Sequence, residues 1–361
     1  MDIESKACLS SDTSSAIERI FRHARLHAQA PFGAVFELTR ACNLTCPHCY
    51  QSSHKSTDEL CLSEIEHLLS ELAEAGTLFL TLTGGEVFTH KYFWDIVQFA
   101  ISKHFVVRVK TNGTLLSPRD AKRLKDIGVS ELHVSVYHDK PEKHDAFVGL
   151  VGAHARALST LRAFHAHGGH VRAMTLLMNW NLDAVSSLQT LYEAEGWQYT
   201  FDCRVEFLED GKDAPHRFRA ENDDIVELVS RLPVLRSTLA QKSEVFNLDW
   251  TVCSIGRNSL FIASDGNVYP CAVAKSLMLG NVRNRSIADI WMSSARTRIT
   301  TITWEQSASC VECEIRLFCR RCPSSAAVEH GDPFQPSSID CRLAQMRYQA
   351  HEQSKKLKKL E

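Results

Sequence analysis

The stretch Arg40-Ala41-Cys42-Asn43-Leu44-Thr45-Cys46-Pro47-His48-Cys49-Tyr50 decides how the rest of the chain is read. Its three cysteines fall in a C-x3-C-x2-C spacing just after an apolar run, Phe32-Gly33-Ala34-Val35-Phe36-Glu37-Leu38. Thiolates are soft ligands, and three of them packed closely behind a strand point to an iron–sulfur or zinc site. Four ligands are usual at such centres, so three leave a coordination position for a substrate or cofactor.

Working outward, apolar runs alternate with helix-period segments from Gly33 onward. Strands are predicted at Ala34–Leu38, Leu78–Thr83, Val106–Lys110, Glu131–Tyr137, Arg172–Leu177 and Thr200–Leu208. Helices are predicted at Leu62–Ala75, Phe93–Ile101, Pro118–Ile127, Gly152–His167 and Leu182–Ala194. Thr57 or Ser63 is the expected cap of the first helix, and Ser117 followed by Pro118 that of the third. Uniformly apolar strands joined by helical crossovers make a parallel α/β sheet. Six such units form either a partial barrel or an open sheet, and composition does not choose between them.

The flanking regions read differently. Residues 1–32 hold one short amphipathic helix, Ser14 to Ala28, too short for a separate recognition domain. Residues 33–215 carry the strand–helix units, and 216–252 form a helical linker in which Pro233 interrupts a helix over Asp223–Leu232. A second region, 253–345, opens with a hairpin turning at Asp265-Gly266 and a helix starting at Ile287–Trp291. A helix over Leu343–Leu360 then ends in Lys355, Lys356, Lys358 and Lys359, a solvated surface at the basic tail 346–361.

Composition narrows the function classes. The net charge of −2 gives no argument for nucleic acid or an anionic membrane surface. No apolar run of about eighteen residues appears, and the acidic start Met1-Asp2-Ile3-Glu4 lacks the apolar stretch of a signal peptide. The expected compartment is the reducing cytoplasm. Thirteen cysteines, odd in number and unevenly placed, argue against a secreted disulfide scaffold. Cys8, Cys61 and Cys203 stand apart and read as small core residues. The clustered ones read as metal ligands.

Several chemistry-bearing segments follow predicted strands: the three cysteines, Thr83-Gly84-Gly85-Glu86, Thr111-Asn112-Gly113, and the polar segment from Ser135. In parallel α/β folds ligands bind at the C-terminal ends of strands, which puts these segments on one face. Paired glycines admit a ligand close to the backbone.

With Cys42, Cys46 and Cys49 followed by Thr83-Gly84-Gly85-Glu86, the chain resembles the radical S-adenosylmethionine enzymes. The resemblance implies a partial (β/α)6 barrel. It also implies a [4Fe–4S] cluster on the three cysteines, chelated at its fourth iron by S-adenosylmethionine. Gly84, Gly85 and Glu86 would contact the amino end of that cofactor. His48 stands where the family usually has an aromatic residue near adenine, and Tyr50 follows. Ser135 lies in a segment similar to the family's Ser-x-Asp-Gly-x5-His-Asp-x2-Arg-Gly pattern and is the implied ribose contact. Tyr137-His138 replace the usual Asp-Gly and Val148 the arginine, which leaves the carboxylate contact unassigned. Asn179 and Asn181, after the fifth strand, reach the cofactor or form a turn.

The C-terminal cysteines extend the resemblance. Two C-x2-C pairs alone suggest a zinc knuckle. Behind this core they resemble the SPASM extension, which holds two auxiliary iron–sulfur clusters, usually [4Fe–4S]. The implied ligands interleave: Cys310, Cys313, Cys319 and Cys341 for the far cluster, Cys253, Cys271 and Cys322 for the near one. The stretch 254–259 lacks the further cysteine of fuller members, so the near cluster has three protein ligands and an open iron, a non-cysteine ligand, or a smaller cluster.

The resemblance implies a maturase that abstracts hydrogen from a ribosomally made precursor peptide. Its partners would be a separate peptide-recognition protein and a flavodoxin or ferredoxin-like electron donor. Sulfatase maturation, small-molecule oxidoreduction and a non-catalytic cluster scaffold are the alternatives. No catalytic base is identifiable: Asp202, Glu206, Glu209, Asp210, His138 and His144 are candidates without a distinguishing pattern.

Overall fold

The computed structural model describes residues 30–55, 58–239, 242–243 and 246–357. The expected helix at Ser14–Ala28, Cys8, the cap Thr57, and Lys358 and Lys359 lie outside them. Six parallel strands follow one another in space: β1 (Gly33–Glu37), β2 (Phe79–Thr83), β3 (Val106–Thr111), β4 (Glu131–Ser135), β5 (His170–Leu176) and β6 (Gln198–Asp202). The sheet is open, and β6 forms one edge.

Each strand alternates, as a pleated backbone requires. Leu80, Leu82, Val107, Val109, Leu132, Val134, Val171 and Ala173 are buried in the main core beneath the helices. The residues between them line a cavity on the other face, and they include Thr83, Lys110, His133, Ser135 and Met174. One face of the strands is therefore largely apolar, and the cavity face mixes Lys110, His133 and Ser135 with Val35, Met174 and Leu176.

The helical layer follows from amphipathic spacing. Helix α1 (Leu62–Glu74) buries Ile65, Leu68, Leu69 and Leu72. Its N-cap is Cys61, not Ser63: the Glu64 carboxylate accepts the Cys61 N–H at 2.7 Å, closing the turn two residues earlier. Cys61 is accordingly exposed, whereas Cys203 is buried as expected. Helices α2 (Phe93–Ser102) and α3 (Pro118–Ile127) follow; α3 is capped by Ser117 and Asp120 and stopped by Gly128 at φ 113°. Helix α4 (Pro141–Val148) was not legible in the sequence. The fourth strand stops before it because His144 Nδ1 takes the Tyr137 N–H at 3.2 Å and draws the chain out of the sheet. Helices α5 (Ala153–Ala166) and α6 (Val185–Ala194) complete the layer, with a 3-10 turn over Leu182–Ala184. The sixth strand ends at Asp202, not Leu208, since Arg204 turns away to bind Asp340 (2.6 Å), Ser325 (2.7 Å) and Glu206.

Beyond it, α7 (Asn222–Arg231) gives way at Pro233 to α8 (Pro233–Leu239), the proline occupying a first helical turn where its missing N–H costs nothing. The predicted hairpin forms from β7 (Ser259–Ile262) and β8 (Asn267–Tyr269), with Gly266 at φ 83°. β9 (Gly280–Asn281) extends it. β7 pairs in parallel with β1, so the sheet runs unbroken, in the order β6-β5-β4-β3-β2-β1-β7-β8-β9, across the boundary expected near 253. Helices α9 (Ile287–Trp291) and α10 (Ser294–Thr300) follow this hairpin. The last helix, α11 (Ser338–Leu357), starts earlier than predicted because Glu329 accepts the Ser338 N–H at 2.8 Å. It packs against α7 through a stripe that includes Ile339, Leu343 and Met346.

Phe36 is fully buried in β1, the strand shared by both halves of the sheet. Phe36→Ala is expected to cost about 3–5 kcal/mol, read as a lower denaturant midpoint in chemical unfolding.

Candidate active site and metal centres

A cavity of about 440 Å3 opens on the inner face of the strands, within the size range of small-molecule sites. Cys42, Cys46 and Cys49 line it together with His48, Tyr50, Gly84, Gly85, Asn112, Ser135 and Tyr137. The loop carrying the cysteines leaves the end of β1 and is held by backbone contacts. Gly85 N–H donates to the Thr39 carbonyl and Glu86 N–H to that of Ala41, both at 2.8 Å. A Cβ at Gly84 would stand 2.6 Å from the Thr39 oxygen, and one at Gly85 would meet the carbonyl oxygens of Arg40 and, at 2.5 Å, Ala41. Only glycine permits this approach. The far side of the loop is pinned where Thr45 N–H reaches the Val148 carbonyl at 3.1 Å.

The donor set fits a thiolate-bound cluster. Burial pushes the Cys46 thiol up to about 12, and neighbouring Cys42 and Cys49 add to the shift. Burial likewise raises Cys42 and Cys49, while N–H groups of Leu44 (3.4 Å) and Asn112 (4.0 Å) face the Cys42 sulfur. These thiols hold their protons at neutral pH, and a metal must displace them.

The remaining cysteines fall into two groups by proximity of charge. Cys253 and Cys271 each lie in the field of Cys322, and Cys271 also in that of Cys253. Burial lifts Cys271 to about 11, and its sulfur sits 3.3 Å from Ser324 Oγ. Cys319 feels Cys341 and Cys310, and Cys341 feels Cys310 and Cys313. Among the described residues no three His, Cys, Asp or Glu side chains converge on a single-ion site. The thiols are thus gathered into three neighbourhoods without finished coordination geometry.

The other predicted site residues divide between cavity and scaffold. The His48 ring stacks on Phe147 at 5.1 Å and meets Tyr137 edge-on at 4.9 Å. Burial lowers its pKa to about 4, so the ring is neutral, and its buried Nδ1 has no hydrogen-bond partner among the described residues. Ser135 hydrogen-bonds Tyr137, whose hydroxyl burial drives far above the usual phenol range. Glu86 does not line the cavity. Its carboxylate accepts Thr111 Oγ1 and Asn112 N–H at 2.7 Å and Phe88 N–H at 3.2 Å, tying β2 to the turn after β3. Burial pushes this carboxyl up to about 7, against the three donors. These three donors orient the Glu86 carboxylate behind the glycines. Asn179 also lies off the cavity, donating to the Arg217 carbonyl at 2.8 Å. Asn181 forms the turn, donating to the Tyr137 and Leu176 carbonyls.

Of the candidate bases, Glu206 and His144 line the cavity, and Asp202, Glu209, Asp210 and His138 do not. Glu206 binds Arg204 and Ser325, and Glu209 binds Arg40 (2.5 Å) and Lys275 (3.6 Å). Asp202 accepts the Arg204 N–H, and Asp210 pairs with Lys212. His138 sits between Asp139 (2.7 Å) and Asp183 (3.3 Å). The sequence reading missed Lys110, His133 and Arg204 on the cavity wall. For Lys110 and His133 the signal was a polar residue at every second position of an otherwise apolar strand.

The sequence profile of the Radical SAM superfamily matches residues 36–191, and that of an iron–sulfur cluster-binding domain, SPASM, matches residues 253–323. The chain is 26% identical over 336 residues to the AdoMet-dependent heme synthase of Methanosarcina barkeri, covering 84% of this chain and 94% of that one. It is 29% identical over 279 residues to the subtilosin biosynthesis protein AlbA of Bacillus subtilis, covering 73% and 60% respectively. The fold is similar to that of Streptococcus suis SuiB bound to precursor peptide SuiA, with a TM-score of 0.69, 14% identity, and coverage of 94% of this chain and 84% of that one.

Gly85→Ala is expected to displace the Cys42–Cys49 loop and lower reconstituted iron by about four atoms per chain, read by iron analysis, with the C-terminal centres retained. Because raised thiol pKa values keep protons on the free ligands, cluster loading releases protons. Iron retained against a chelator is therefore expected to rise between about pH 7 and about pH 9, measured by equilibrium dialysis.

Proposed function

The chain belongs to the radical S-adenosylmethionine superfamily and carries a SPASM iron–sulfur domain, and from that premise we propose that it is a maturase that modifies or crosslinks a residue of a ribosomally made precursor peptide. The observation that carries this reading is the composition of the cavity wall. One side is the loop of Cys42, Cys46 and Cys49; another is Ala272 and Val273, directly after Cys271. A substrate residue in the cavity lies between the first thiol group and the near one of the second region. The relatives' names agree with peptide chemistry: one serves bacteriocin biosynthesis, and the fold neighbour holds a precursor peptide.

In this family a [4Fe–4S] cluster and S-adenosylmethionine together supply, on one-electron reduction, a 5′-deoxyadenosyl radical that removes hydrogen from an unactivated carbon. We assign the residues as follows. Cys42, Cys46 and Cys49 hold the first cluster. The Gly84-Gly85 backbone and Ser135 receive the cofactor, and the His48–Tyr137–Phe147 ring group supplies a flat wall beside it. Val35, Met174, Leu176 and Phe261 give the cavity an apolar lining that excludes water from a reactive intermediate. Cys310, Cys313, Cys319 and Cys341 hold the far auxiliary cluster, and Cys253, Cys271 and Cys322 the near one. Residues 33–215 and 253–345 are the corresponding domains, sharing one sheet.

A flavodoxin or ferredoxin-like donor and a separate peptide-recognition protein complete the proposed system, working in the cytoplasm. No described helix is long and apolar enough to cross a membrane. A small-molecule substrate is the reading that the archaeal relative's name favours.

Anaerobic reconstitution tests these readings. With S-adenosylmethionine, a strong reductant and a candidate precursor peptide, the enzyme is expected to form 5′-deoxyadenosine and change the peptide's mass. Cys46→Ala is expected to abolish both while retaining about eight irons per chain. A mass change on a small molecule and on no peptide would reverse the substrate assignment. A chain that loads iron yet never cleaves S-adenosylmethionine would be a scaffold.

A further inference from the structure

β3 sets Lys110 on the cavity wall, opposite His133 of β4 in the strand register and just before the Thr111-Asn112-Gly113 turn. Its side chain reaches solvent through the cavity. Protein atoms crowd it, and this confinement, reinforced by Arg108 and opposed by Glu131, draws its pKa below the ordinary lysine value. Among the described residues no hydrogen bond engages its Nζ, and no carboxylate lies within 4.0 Å of it.

The surrounding charges do not compensate it. Glu131 is the nearby carboxylate, and it is already taken up by Arg108 (2.6 Å) and Arg172 (3.2 Å). Burial lowers His133 to about 4, so that ring is neutral near pH 7. This part of the barrel therefore holds three cations against one saturated carboxylate. The wall's other cation, Arg204, is bound by Glu206, Asp340 and Ser325. Lys110 itself is exposed, and its ammonium is open to an anion that enters the cavity.

We infer that Lys110 is a specificity-determining residue that receives a carboxylate of the substrate, so that the peptide presents an Asp or Glu side chain, or its own C-terminus, next to the residue that is modified. The inference rests on the peptide reading above. Approach to a cationic wall through a confined cavity strengthens a charge-assisted hydrogen bond and rejects the neutral analogue.

The test uses reconstituted full-length enzyme and short synthetic peptides of one sequence in matched forms. One carries Glu with an amidated C-terminus, one Gln with a free C-terminus, and one Gln with an amidated C-terminus. Competition binding under anaerobic conditions with S-adenosylmethionine is expected to favour one carboxylate-bearing form over the neutral one by roughly ten- to a hundredfold. Which form wins separates side chain from terminus. Lys110→Met should erase that preference, and Lys110→Glu should turn it toward a peptide with Lys in place of Glu. Iron content and circular dichroism of both variants confirm that they fold.

No preference in the wild type overturns the inference, as does an equal loss of affinity for all forms in Lys110→Met. A fall in S-adenosylmethionine affinity matching the fall in peptide affinity places Lys110 on the cofactor's carboxylate instead, and overturns it too. If peptides are still modified without preference for a carboxylate, the peptide reading stands and the assignment of Lys110 fails. If no peptide changes mass, both fall.

Discussion

The parallel pairing of β1 with β2 on one side and β7 on the other is the constraint from which the site follows. Because Val35 is in register with both Thr81 and Phe261, three chain segments far apart in sequence end at the same level. The cysteine loop leaves the end of β1, and the glycines leave the end of β2. Hydrogen bonds of 2.8 Å between the two then close the loop over the cavity. The segment after the β7–β8 hairpin adds Ala272 and Val273 to the cavity wall. A slip of one residue at β1 would turn every inward side chain toward the helices.

A second constraint acts beneath the loop. Glu37 is buried, and burial raises its pKa although Lys275 and Arg40 favour its charged form. Gln51 donates to it at 3.1 Å, Arg40 and Lys275 stand 4.0 Å away, and Glu209 bridges the same two cations. Two carboxylates and two cations thus join the first strand, the segment after β6 and the loop after Cys271. Buried pairs of this kind add little net stability but are costly to break singly, so they fix how the second region seats against the first.

Much of this organisation was legible in the chain. The C-x3-C-x2-C spacing, the Thr83–Glu86 segment and the alternation of strand and helix are local patterns. The Ser117-Pro118 cap and the Asp265-Gly266 turn are likewise set by their own residues. Boundaries moved where side chains intervened: His144, seven residues on, ended β4, and Arg204, bound to the distant Asp340, ended β6. Within the site, the sequence places Glu86 beside the glycines, while the fold supplies its donors Thr111, Asn112 and Phe88.

The sequence by itself pointed to a thiolate-bound metal centre, because soft thiolates at fixed spacing are local facts, and the class of chemistry followed from the family resemblance that the cysteines and the glycine segment carry. It also determined the parallel α/β architecture through the period of its apolar residues. Only the tertiary structure decided that the second region continues the same sheet, and that Lys110 faces the cavity without a partner among the described residues. Those outcomes depend on strand register and on which carboxylates are already engaged, and residues distant along the chain set both.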